Sequence, residues 1–140
     1  MAMKLALDKA GLMEVIDREF PQQTGRFVIE ELEVMRIRVR MLITNAELRP
    51  GGTVSGPAMF TLADCAFYMA TMAMIGPKAL TVTTNCSINF MRKPDPVDIV
   101  AEGRILKLGK TLSTGDVMIY SDGKPDVVAQ ASLTYAIPPR

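Results

Sequence analysis

Residues 57–75, PAMFTLADCAFYMATMAMI, are apolar nearly all the way round a helical period. A helix of that kind cannot lie on a surface with one face wet, so the rest of the chain has to wrap it. Pro57 suits a first helical position, where its missing N–H is not needed, and Gly76-Pro77 stops the run. One acid, Asp64, sits two turns in. A charge among apolar neighbours costs free energy unless it has a task or a partner. The stretch just before, RPGGTVSG at 49–56, is a glycine-rich loop ending where the helix starts. Backbone N–H groups at a helix start favour developing negative charge. Together these features point to a carboxylate that attacks, or activates water against, a polarised carbonyl.

The other segments supply the wrapping. Residues 3–20 carry Leu5, Ala6, Ala10, Leu12, Met13, Val15 and Ile16 at roughly helical spacing, with Pro21 following. Residues 26–43 alternate: Val34, Arg36, Arg38 and Arg40 fall on one side, Met35, Ile37, Val39 and Met41 on the other. That period predicts strand with one wet face, either one long strand or two joined near Glu30–Glu33. Asn45, Pro50, Gly51 and Gly52 place a loop over 44–55. Four more strands are predicted at 79–91, 97–108, 112–121 and 126–137, the last three joined by hairpin-type connections at Gly109-Lys110 and Asp122-Gly123. This order specifies an α+β domain spanning 1–140, a curved antiparallel β-sheet wrapped around a central apolar α-helix.

Composition narrows the chemistry. Sixteen basic and 15 acidic residues leave a formal charge of +1, which argues against a nucleic-acid surface or a polybasic membrane patch. There is no His, which excludes Ser-His-Asp, Cys-His and His-based metal chemistry. Cys65 and Cys86 lie in apolar runs and read as buried reduced thiols, and no metal cluster is visible. No secretory leader is recognisable, and no apolar run looks long enough to cross a bilayer, so a cytoplasmic location is expected.

Three stretches, in order, resemble one family: VSGPAMFTLADCAFYMA at 54–70, TTNCSINFMRKP at 83–94 and RILKLGKT at 104–111. They are similar to the glycine turn and Leu-x-Asp helix, the strand after it and the later strand-turn of hotdog-fold acyl-CoA thioesterases of the phenylacetic-acid-pathway (PaaI) type. The resemblance implies a hotdog fold and hydrolysis of a coenzyme A thioester to free acid and thiol. It implies no cofactor, since coenzyme A belongs to the substrate. It puts Gly56 at the N–H that polarises the carbonyl, Asp64 at the catalytic base or nucleophile and Thr83 at a hydroxyl that helps hold water. It also implies a homodimer, extended to a homotetramer as a dimer of dimers, with Gly56 of one protomer facing Asp64 of the other. Eight residues on one helix rise roughly 12 Å, which independently favours a site shared between chains.

The pattern is broken in two places. Ser55 stands where the family has His, and Pro57 where it has a second Gly; the family's loop Asn falls near Arg49, with Asn45 nearby. Ser55 can hydrogen-bond but cannot titrate near neutrality. Arg49, Arg92, Lys93, Lys107 and Lys110 are candidates to meet the substrate's phosphates, or are plain solvated cations. Met59, Phe60, Met69, Met72 and Met74 line an acyl tunnel or simply pack the core. Asp64 has a structural alternative, pairing with a cation such as Arg92. Besides a thioesterase, the pattern allows a non-catalytic acyl-CoA-binding or sensing protein; a hotdog hydratase ranks last, because such enzymes pair an acid with His.

Overall fold

The computed structural model describes residues 3–139. It contains helix α1 (Lys9–Glu19), strands β1 (Phe27–Glu33), β2 (Arg36–Met41), β3 (Leu48–Arg49) and β4 (Thr53–Val54), helix α2 (Gly56–Ile75), and strands β5 (Val82–Phe90), β6 (Ile99–Leu108), β7 (Leu112–Ser121) and β8 (Val127–Ala136). Six strands form one antiparallel sheet in the order β1-β2-β6-β7-β8-β5. The mixed α+β architecture expected from the alternation and the central apolar run is the one observed.

α2 starts at Gly56, one residue before the sequence reading places it, because Ser55 is the cap: its hydroxyl accepts the Ala58 N–H at 3.2 Å. From Leu62 to Ala73 its side chains are buried, apart from Asp64. By length and composition α2 is able to span a bilayer, which corrects the expectation that no run is long enough. It is mostly buried within the protein, so it serves as the core helix of the fold. Phe67, Met69 and Met72 fill the middle of the core with Ile99, Ile119 and Leu133 from the sheet. Gly115 on β7 lets Phe67 come this close: a Cβ there would stand 2.5 Å from the ring and collide with the Arg104 carbonyl.

One element departs from expectation, and a second, expected as one strand or as two joined near Glu30–Glu33, is two with its turn just beyond those residues. The first helix covers Lys9–Glu19 rather than 3–20, because Asp8 caps it through the Gly11 N–H at 2.7 Å. The residues before it run across the end of α2 instead, where the Ala6 and Leu7 N–H groups both bond to the Ala73 carbonyl. The 26–43 segment is two strands, turning at Val34-Met35, with Met35 at φ 66° and a bulge between Ile29 and Glu31. Alternation survives across β2, where Ile37, Val39 and Met41 are buried and the arginines face outward. Arg38 meets Glu30 and Glu102, and Arg40 meets Glu30, Asp98 and Asp122.

The loop before α2 contains a small β3–β4 ribbon. Its turn holds Gly51 at φ 99° and Gly52 at φ 78°, conformations that side chains resist. The ribbon carries Arg49 at its end and delivers the chain to Ser55, whose N–H bonds to the Glu47 carbonyl at 2.8 Å.

Candidate active site

Asp64 is half-buried on the side of α2 that meets β5 and β8. Thr83 Oγ1 donates to its Oδ1 at 2.7 Å, and the Tyr135 hydroxyl donates to the same oxygen at 2.6 Å. Tyr135 also reaches the Asp64 backbone carbonyl at 3.0 Å. No cation pairs with Asp64 among the described residues, so pairing with Arg92 is not how this acid is accommodated. Oδ2 carries no hydrogen bond from the described residues.

The register explains this convergence. Thr83 and Tyr135 are opposite each other across the β5–β8 pair, and a bulge follows between Thr83 and Asn85. Bulges re-aim neighbouring side chains. Tyr135 is buried, and burial, reinforced by the Asp64 charge, raises the pKa of its hydroxyl, which therefore keeps its proton to donate. The same two causes push Cys65 up to about 12 and Cys86 up to about 11, so neither thiol is a nucleophile at neutral pH. Both are free; Cys65 is buried as its apolar setting suggested, whereas Cys86 is only half-buried, because it lies on the edge strand β5.

A second cluster surrounds the start of α2. Arg49, Gly56, Arg92 and Lys93 line one cavity of about 390 Å³, together with Met59, Phe90 and others. The Phe90 ring lies 3.4 Å from where a Gly56 Cβ would be, so it forms the wall beside this helix start. Ser55, the cap residue, is not part of its lining. Lys110 belongs elsewhere, in a cavity of about 780 Å³ at the far end of α2 with Ile75 and Lys78. Lys107 is on β6, toward that same end, and is exposed. Of the candidate tunnel residues, Met69 and Met72 are fully buried core, Met59 lines the cavity, and Phe60 is 39% exposed.

Within one chain, therefore, Gly56 and Asp64 occupy separate clusters, eight residues or roughly 12 Å of helix apart. Another recess, about 510 Å³ on the outer sheet face, holds charges that pair with each other, Arg38 with Glu102 at 2.8 Å and Arg104 with Asp116 at 2.9 Å.

A family model, the thioesterase superfamily, matches residues 51–128, which include α2 and both clusters' chain neighbours on β5. The crystal structure of a candidate thioesterase from Silicibacter sp. is 46% identical, covering 98% of this chain and 96% of that one, with a TM-score of 0.91. The chain belongs to the thioesterase superfamily.

This superfamily member shares its fold with more distant structures. Zebrafish thioesterase superfamily member 2 is 19% identical over 95% of this chain and 100% of that one, with a TM-score of 0.82. A point variant of the phenylacetic acid degradation protein PaaI from Thermus thermophilus is 23% identical over 84% of this chain and 99% of that one, at 0.72. The hotdog fold expected from the three stretches is thus the fold of this thioesterase-superfamily chain. No curated protein matches it in sequence.

Sequence reasoning missed Tyr135 in this superfamily member. A signal existed: a Tyr on the buried side of a strand must find a partner for its hydroxyl. Naming that partner required the β5–β8 register.

Proposed function

We propose that this protein hydrolyses acyl-CoA thioesters, with Asp64 as the reacting carboxylate. The observation that carries this is the state of Asp64, a carboxylate in an apolar helix held by two hydroxyls and no cation. Superfamily membership supports thioester hydrolysis as the class of chemistry. Oδ2 of Asp64 accepts no hydrogen bond from the described residues, and in this reading it is the oxygen that meets water or the thioester.

In this reading the Gly56 N–H, at the start of a 20-residue helix, faces the thioester carbonyl oxygen. One such donor is worth about 2.7–4 kcal/mol as charge develops there. Asp64 Oδ2 takes a proton from water while the oxygen of that water adds to the carbonyl carbon. Collapse breaks the C–S bond, and the leaving thiolate recovers a proton, giving free acid and thiol. Direct attack by Oδ2 gives a mixed anhydride that water then cleaves to the same products. Thr83 holds Asp64 and is within reach of the same water.

Because Gly56 and Asp64 stand apart in one chain, the reading pairs Gly56 of one protomer with Asp64 of a second. β5 is an edge strand of the sheet, and Val82 and Phe90 on it, Met91 just past its end and Phe60 on α2 are exposed apolar groups suited to covering by a second copy. Lys110, with Lys78, provides positive charge at the far end of α2 for the coenzyme's phosphates. Ser55 is occupied as a helix cap, so its contribution is to fix the Gly56 amide.

The test is thiol release over a panel of acyl-CoA substrates by wild type and Asp64→Asn. Asparagine keeps the shape and can still accept from Thr83 and Tyr135. A loss of about 10²–10⁴-fold in turnover with unchanged melting and unchanged oligomeric state is expected. Tight acyl-CoA binding by wild type without any thiol release would instead establish the binding-protein reading.

A further inference from the structure

The acyl group is the part of the substrate still unassigned, and the cavity beside Gly56 carries an unusual charge pattern. Met59 and Phe90 line one part of it; Arg49, Arg92 and Lys93 line another. Within one chain no Asp or Glu lines it, and none of the three cations has an ion-pair partner among the described residues. Arg38, Arg40 and Arg104, by contrast, are each paired with carboxylates on the sheet. Three uncompensated cations around a small recess set up a field for an anion.

Coenzyme A phosphates are one source of such an anion, but they are separated from the thioester by the pantetheine arm. Taken as four extended residues, that arm spans roughly 14 Å. A carbonyl seated at the Gly56 amide therefore carries its phosphates away from a cavity that Gly56 itself lines. The Lys78–Lys110 cavity lies at Ile75, eleven residues or roughly 16 Å of helix rise from Asp64, a distance that fits the arm. At about 390 Å³, the cavity beside Gly56 is at the small end of ligand sites and suits a short acyl group.

We infer that this cavity receives the acyl group and selects one that carries its own anion: the substrate is the coenzyme A thioester of a short dicarboxylic acid. Its methylenes lie on Met59 and Phe90, and its free carboxylate lies among Arg49, Arg92 and Lys93, where arginine offers paired N–H donors. This rests on the hydrolase reading above.

The experiment compares kcat/KM for glutaryl-CoA and pentanoyl-CoA, which have equal carbon number, and for glutaryl-pantetheine, which lacks the nucleotide. Wild type is expected to prefer glutaryl-CoA by about tenfold, the scale of one charge-assisted hydrogen bond at a partly exposed site. Arg49→Met and Arg92→Met narrow that preference, and lower glutaryl-pantetheine turnover as well. Equal or better use of pentanoyl-CoA overturns the inference while leaving the hydrolase reading intact. Arginine effects that vanish on glutaryl-pantetheine also overturn it, because these side chains then read the phosphates. No turnover of any thioester by folded wild type defeats the hydrolase reading itself, and this inference with it.

Discussion

Thr83 and Tyr135 face each other across adjacent antiparallel strands and donate to the same oxygen of Asp64, at 2.7 and 2.6 Å. Their chain positions are 52 residues apart, so the sheet, not local sequence, aims the carboxylate. Two donors on one oxygen fix the rotation of the carboxyl group and leave Oδ2 presented.

Removing one of the two should loosen that aim. Tyr135→Phe takes away a buried hydrogen bond to a charged group, worth about 1.5–3 kcal/mol. We expect kcat to fall about tenfold or more with KM little changed, and melting to drop by a few degrees. Thr83→Val, at an exposed site, should cost less. Steady-state kinetics beside thermal melts check this; wild-type kcat in Tyr135→Phe would show that the hydroxyl only fills space.

Arg40 controls the acid limb of stability. Its hydrogen bond is the main cause holding both Glu30 and Asp122 below their ordinary carboxylate values of 4.5 and 3.8. Lowered folded-state pKa values mean that the stabilisation is present above those ordinary values and is lost as pH falls through the folded ones. Between pH 5 and pH 3 wild type should therefore lose more stability than Arg40→Met. Urea midpoints across that range measure it, and parallel curves for the two proteins would contradict it.

The two thiols report on the Asp64 charge. With Cys65 near 12 and Cys86 near 11, iodoacetamide at pH 7.5 should label the native protein far more slowly than the unfolded chain. Asp64→Asn removes a charge that raises both values, so labelling of half-buried Cys86 should accelerate. Intact-mass spectrometry over time follows both sites after peptide mapping; labelling unaffected by the substitution would remove the electrostatic explanation.

Gly115→Ala tests why a central strand tolerates glycine. The added methyl meets Phe67 and the Arg104 carbonyl, and neither has room to retreat. A loss on the order of 3 kcal/mol is expected. Gly56→Ala makes a useful contrast, because its methyl meets only the Phe90 ring at 3.4 Å, and the protein should melt normally. Equal melting of the two variants would show that the strand shifts to make space.

Much of this molecule is decided by periodicity and punctuation. The apolar run at 57–75 demands enclosure whatever encloses it, and the alternation of β2 and the hairpin turns follows from side chains that must be dry or wet. Those are local requirements, so strands at 112–121 and 126–137 fall within a residue of where β7 and β8 lie. Asp64 stands out for the same reason, a charge where burial is costly.

What the chain order could not supply is which distant groups meet. The split at Val34-Met35 depends on β2 pairing with both β1 and β6, and an alternating pattern runs through such a turn unmarked. Tyr135 became a partner of Asp64 only through the β5–β8 register, and Arg49, Arg92 and Lys93 became one cationic recess only when the β3–β4 ribbon and the end of β5 came together at the start of α2. Solvent preference is a property of each residue and can be read along the chain; convergence is a property of the sheet's pairing and exists only once the chain has folded.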